Sequence, residues 1–568
     1  MTTLPRLYRS YLARPVACAM LVLGGVLVGA PLDLAAAPHA SHAALRAIPL
    51  AILERPIAKR PGIGRAHEPV STKSAEAQGW YDEGLAHLHS FAWLDAARAF
   101  RMALRADPAL AMAQVGMSYA FGGLGSFQGA INAVQRAQAL EAGAGARDRI
   151  RIDLRRRQLE ALARADNLAL SRGYVAALDR ALATYPNDVE ILLLRGDAAS
   201  AAGSVSGMAS DANAVPYFDR ARRAAPDAFA PHHYLAHAYE NSDQVTLALQ
   251  ASQVYVKMAP SVPHAHHMLA HSLRRTGRAR EAIAEFEKAA ALAKADLDAD
   301  QIPAEYDWHT HHNTALLAAA YRYVGRYRSA EALLKPAFAS SAPLVPEELN
   351  KRDWPALLLA RGDGADALSA SRQLAGHADP LVRAAGHLSA AHVLMAAGRL
   401  PEAGREADSA LTALRTGGPA ASELAPELRL AQGEFLLRTG DRERGRSMIR
   451  QGVASLRARP GPDAWGQGLF TIEAMGRVAR QAGDLDLAAE LAEQLRLHDP
   501  NYAGTSFALA LGAEQRGDRA GASRGFGEAI ERWRDADADH PDLVEARKRL
   551  VALGGQTPAA AGSRPSQR

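Results

Sequence analysis

The sequence predicts an all-α protein, a solenoid of stacked helical hairpins, and three observations carry that prediction. Alanine and leucine dominate and Arg and Glu are common, all strong helix formers, while aromatics make up only 6% of the chain. Almost no stretch alternates apolar and polar residues with the period of two that a half-buried strand needs. Small and apolar positions also recur at a shift of 34 residues, so that Leu235, Ala236 and Ala248 map onto Leu269, Ala270 and Ala282. With 568 residues and 48% hydrophobic content the chain exceeds one compact domain, and a repeat array buries such a length by stacking.

Taken in order, residues 1–43 read as an export signal or an N-terminal anchor. Arg6, Arg9 and Arg14 precede an uncharged run from Val16 to Ala30, and Ser41-His42-Ala43 offers a small-x-small cleavage site. An uncleaved span is the alternative, because Pro15 to Leu32 is borderline in length for crossing a bilayer. Either way the bulk of the chain is expected to be periplasmic or secreted, or membrane-anchored and facing the periplasm. The membrane is then a partner only through this segment. The one cysteine, Cys18, lies inside it, so a cleaved chain has no thiol for a disulfide, a metal or a nucleophile. Residues 44–74 mix Pro, Arg, Lys and Ala without a period and read as a flexible linker.

From Ala77 the repeat appears, with Trp80, Gly84, Ala96, Phe100, Ala103 and Pro108 at positions 4, 8, 20, 24, 27 and 32 of a 34-residue unit. Units follow at Ala111, weakly over 147–228, then clearly at Phe229, Pro263 and His311, the last after an acidic insertion of 14 residues. Further units fall near 384, 426, 469 and 503, with 338–380 less regular. Residues 77–228, 229–340 and 341–553 are therefore read as N-terminal, central and C-terminal repeat regions, and 554–568 as a disordered tail. Within the central region Leu269, Ala270 and Leu273 mark one inner stripe and Ala282, Phe286 and Ala289 the next, joined by a turn at Thr276-Gly277.

This pattern resembles the tetratricopeptide repeat, over most of residues 77–550. The resemblance implies a right-handed superhelix whose first helices line a concave face, and a scaffold that binds a protein or peptide there without catalysing a reaction. It also implies that positions 2, 5, 9, 12 and 13 of each first helix face the groove. Those positions hold His264 and His312 (2), His233 and His267 (5), His237 and His271 (9), Arg274 and Arg275 (12 and 13), and Arg322 and Tyr323 (12 and 13). The carboxylate-gripping members of the family carry Lys and Asn at positions 5 and 9, where this chain has His, or Ala315 and Ala319.

Of twenty histidines, ten fall between 232 and 312. His233/His237 and His267/His271 are i, i+4 pairs, each on one helix face. Three readings stay open: a transition-metal site (zinc or copper) built from His233, His237, His264, His267, His271 and His312; a set of contacts to a protein partner through His233, His237, His267, His271, Arg274, Arg275, Arg322 and Tyr323; and histidines duplicated with the repeat and used in packing. His232 and His266 are expected to pack, and His309 and His311 to precede their helix and cap it or fold over the groove. Catalysis has little support. The residue after His267 is Met268, so a zinc-hydrolase helix lacks its glutamate, and the glycines at 122–125 have no strand before them to make a phosphate loop. A net charge of +5 without a basic stripe argues against nucleic acid.

Overall fold

The computed structural model describes residues 45, 47–200, 208–417, 422–459 and 461–555. The segment read as an export signal or anchor lies outside them, as does most of the terminal tail. Within them the chain is an all-α solenoid of helical hairpins, most helices packed on a neighbour in sequence and the first helices of successive hairpins also in contact. The central region consists of Ala230–Asn241 with Val245–Met258, Pro263–Arg275 with Ala279–Asp300, and Trp308–Tyr323 with Tyr327–Ala339.

The packing follows the small-residue register. Ala270 and Ala282 are fully buried where two helices cross, and Phe286 is fully buried beyond them. Phe100 and Phe526, at the same position of their units, are equally buried. Gly386 brings the helices Gly364–Ala375 and Pro380–Ala396 closer than any side chain allows: a Cβ there would lie 2.2 Å from the Ala375 backbone nitrogen. Because backbone rather than a movable side chain blocks it, Gly386→Ala is expected to cost about 2–3 kcal/mol, read as a lower urea midpoint with an unchanged slope.

Two regions depart from the regular 34-residue hairpin register for local reasons. The acidic insertion is the first. It prolongs the second helix of its hairpin to Asp300, because Ala and Leu continue through Ala291, Leu292, Ala295 and Leu297. A 3-10 turn at Ala304–Tyr306 then leads into a helix that starts at Trp308, where Asp307 caps it by accepting the Thr310 N–H at 2.9 Å. His309 and His311 therefore sit inside the first turn of that helix. Between Ala339 and Gly364 the hairpin rhythm is replaced by two short helices, Val345–Asn350 and Asp353–Arg361.

The segment at 47–74, expected to be a flexible linker, is extended but packed on the repeats. Ile57 and Ile63 are buried, and Glu68 is 1% exposed. Arg60 bridges Asp95 at 2.7 Å and Asp300 at 2.6 Å, and the buried Arg98 guanidinium donates to the carbonyls of Arg55 and Pro56. The Ser261 N–H donates to the Gly62 carbonyl, and at Gly64 (φ +85°) a Cβ would lie 2.4 Å from the Phe229 ring. Only glycine permits both that backbone conformation and that approach.

The solenoid also returns on itself at its C-terminal end. Arg274 lies over the Trp465 ring at 4.9 Å, Arg322 over Phe470 at 4.1 Å, and Tyr323 against Tyr502 at 5.0 Å. Asp537 closes the contact, its N–H donating to the Gly325 carbonyl and its carboxylate accepting the Arg328 N–H. At the central repeats the concave face is thus covered by the chain itself, by the N-terminal segment and first hairpin on one side and by the C-terminal hairpins on the other.

Candidate metal centre

The three central first helices each bring histidines to the same interior space. Helix Ala230–Asn241 supplies His233 and His237, one turn apart on one face; Pro263–Arg275 supplies His264, His267 and His271; Trp308–Tyr323 supplies His309 and His312. Adjacent rings lie close together: His233 to His237 4.9 Å, His233 to His264 4.9 Å, His264 to His267 5.3 Å, His267 to His271 4.3 Å and His267 to His312 4.8 Å between centroids. The result is a continuous run of seven imidazoles. Six are buried, and His312 is half-buried.

Hydrogen-bond partners fix the tautomers of three of them. The Nδ1–H of His233 donates to the His89 carbonyl at 2.6 Å. Asn313 uses its amide N–H on the Phe286 carbonyl, so its Oδ1 accepts from His267 Nδ1–H at 2.8 Å. His271 Nδ1 donates to Glu240 Oε2 at 3.3 Å. With the proton on Nδ1, the neutral imidazole tautomer carries its lone pair on Nε2, oriented by an outer acceptor in the way metal-binding histidines are. The Nε2 atoms of His267, His271 and His309, and both ring nitrogens of His264, are buried without a hydrogen-bond partner.

Three overlapping triads place their nitrogens within 4.8 Å of one another: His233/His237/His264, His264/His267/His309 and His267/His271/His312. Two ligands on a tetrahedral zinc with bonds of 2.0–2.1 Å are about 3.3 Å apart. The His233 and His237 Nε2 atoms stand at 3.1 Å, and the nitrogens of every triad lie within 4.8 Å of one another. The donor set fits zinc, copper or nickel, for which neutral imidazole is a good ligand.

Burial disfavours the charged form of five of the rings. It pushes His237 and His309 down to about 3 each, and His233, His264 and His267 well below 6.5, with neighbouring imidazoles adding to the effect. Glu240 opposes it at His237.

The first hairpin covers the array. Phe91 lies 4.5 Å from the His233 ring and 5.0 Å from His264, and Trp93 stacks on Trp308 at 4.6 Å. Phe91 has φ +57° at the hairpin turn, where the corresponding turns use Gly125, Gly277, Gly325 and Gly517. A large side chain in that conformation costs about 1–2 kcal/mol and is held here by its contacts with the histidines.

Of the residues read from the sequence, all six metal candidates, His233, His237, His264, His267, His271 and His312, come together. Arg274, Arg322 and Tyr323 point instead under the C-terminal hairpins, and Arg275 bonds Asp243 at 2.5 Å and the Glu240 carbonyl at 3.1 Å. His266 is packed as expected, against Glu285 at 2.6 Å and the Pro260 carbonyl. His311 faces Lys351 and Glu348. The residues missed are His309, whose i, i+3 spacing to His312 behind an Asp cap is the available signal, and His89, Phe91 and Trp93, which have none.

Fold and site together define a helical-hairpin repeat protein built around a buried histidine array. No protein-family model and no curated protein matches the chain. Among solved structures it is similar to the human IFIT1 dimer with PPP-AAAA (14% identity, TM-score 0.37, 74% of this chain and 90% of that one). It is also similar to yeast Tom70 (13%, 0.32, 84% and 95%) and to the APC/C hetero-tetramer Cut9–Hcn1 (14%, 0.29, 85% and 96%). At these scores the likenesses carry no argument about function.

Proposed function

We propose that this protein is an exported metal-binding protein that holds transition metal, zinc or copper, inside its central repeats. The observation that carries the reading is His264, 3% exposed, with both ring nitrogens unpartnered and a histidine triad on each side. Leaving a buried polar atom unsatisfied costs about 1–3 kcal/mol, and a metal ion is the ligand that would satisfy several such nitrogens at once. The test is metal content of the purified chain by mass spectrometry, beside the variant His267→Ala/His271→Ala. Bound metal of at least about one ion per chain is expected, with less in the variant. Added metal at about a thousand times its Kd should stabilise the native chain by about 4 kcal/mol. A chain that neither carries nor takes up metal overturns the reading.

The hairpin architecture also supports the other reading, a scaffold for a protein or peptide partner. Of the residues named for that contact, Arg275 alone is not buried, so a partner at the central groove would have to displace the first hairpin or the C-terminal repeats. Insensitivity of partner capture to chelators would favour it.

A further inference from the structure

We propose that the array holds two transition-metal ions, one in each outer triad, and that the middle triad is their way in. This rests on the metal-binding reading and goes beyond it to number, place and route. The argument is one of shared ligands. His264 belongs to the first and middle triads, and His267 to the middle and last. His267 has committed Nδ1 to Asn313, so it has one nitrogen for one ion. An ion in the middle triad therefore takes His267 from the last triad and leaves His271 and His312 as a bare pair. The two outer triads, His233/His237/His264 and His267/His271/His312, share no residue and fill together. His309 is the one member of the run that neither outer triad uses.

Access points to the same division. A cavity of ≈ 60 Å³ reaches the array at His264 and His309, both of the middle triad, and neither outer pair lines it. That is room for several waters, enough to pass an ion shedding its hydration shell. Asp95, Asp296 and Asp307 line the same cavity, Asp95 and Asp296 against the guanidinium of Arg60 at 2.7 and 3.4 Å. Acidic groups at a narrow mouth raise the local concentration of cations. The ion first meets His264 and His309, then passes to either side, where two more imidazoles complete a triad.

The experiment loads metal-free protein with Zn²⁺ alone, measuring ions bound per chain at equilibrium and the rate of uptake against a chromophoric chelator. The native chain should bind two. His237→Gln and His312→Gln should each bind one. His309→Gln and His309→Leu, two variants that keep the side-chain bulk and are checked for an unchanged far-UV spectrum, should still bind two but load at least about ten times more slowly. A native chain that binds one ion, lost in both His309 variants, places the metal in the middle triad and overturns the proposal alone. Two ions taken up at the native rate by the His309 variants overturn the route. No uptake by the native chain overturns this proposal and the reading beneath it together.

Discussion

Acidifying the metal-free protein from neutral pH to about pH 5 is expected to open the central repeats. His233, His237, His264, His267 and His309 are held below their ordinary 6.5 first by burial, His237 and His309 down to about 3. The unfolded chain binds protons at these groups below pH 6.5 and the folded chain does not, so folding stability is full above that value and falls with pH down to the folded pKa. At about pH 5 His237 and His309, held at about 3, each cost about 2 kcal/mol, and His233, His264 and His267 act in the same direction. A domain of ordinary stability has about 5–15 kcal/mol to lose. Glu240 does not offset this: although burial pushes it up, His271 and then Arg275 hold it below 4.5, so its own contribution is also lost on acidification. The stacked pair Trp93 and Trp308 lies beside the array, and its fluorescence should report the opening. A signal unchanged down to about pH 4 would contradict buried neutral imidazoles.

The second large effect is expected at Arg151. Its guanidinium is 3% exposed, bonds Glu68 and reaches Glu190 at 3.5 Å, while Arg147 reaches Glu68 at 2.8 Å. Burial pushes Glu68 up, with the Arg151 charge acting against it. At Glu190 burial also pushes up, but His89 and Arg151 outweigh it and hold the carboxyl at about 2. Arg151→Met leaves Glu68 in the interior with its main counter-charge gone and removes one of the cations that hold Glu190, a change that costs about 3–5 kcal/mol. The loss should be read as a urea midpoint, and Arg151→Met/Glu68→Gln should recover part of it, since the uncompensated charge is then removed. The effect should reach the histidines as well. Glu190 bonds His89 at 2.8 Å, and the His89 carbonyl holds His233 Nδ1, so the variant should also weaken metal uptake at the first triad. Full stability in Arg151→Met would show that these groups are solvated.

The hairpins were legible because their cause is local. Ala270, Ala282 and Phe286 pack against residues within one 34-residue unit or the next, so their spacing repeats along the chain and announces itself. The glycine turns are local too, and so is the i, i+4 pairing that put His233 with His237 and His267 with His271. Local spacing alone thus specifies the all-α hairpin solenoid and which six histidines share a face.

What that face meets is set by contacts between distant parts of the chain. Phe91 reaches His233 and His264 and Trp93 reaches Trp308, all more than 140 residues away, Arg98 and Arg60 clamp the 47–74 segment, and Trp465, Phe470 and Tyr502 cover Arg274, Arg322 and Tyr323. No period links such residues, and nothing in their local composition distinguishes a groove that stays open from one the chain closes on itself. The closing depends on how small rotations add up over many stacked repeats, a sum that the sequence of any one repeat does not display. It turns an exposed row of histidines into a buried one with unpartnered nitrogens, which favours a metal ion over a peptide as the ligand.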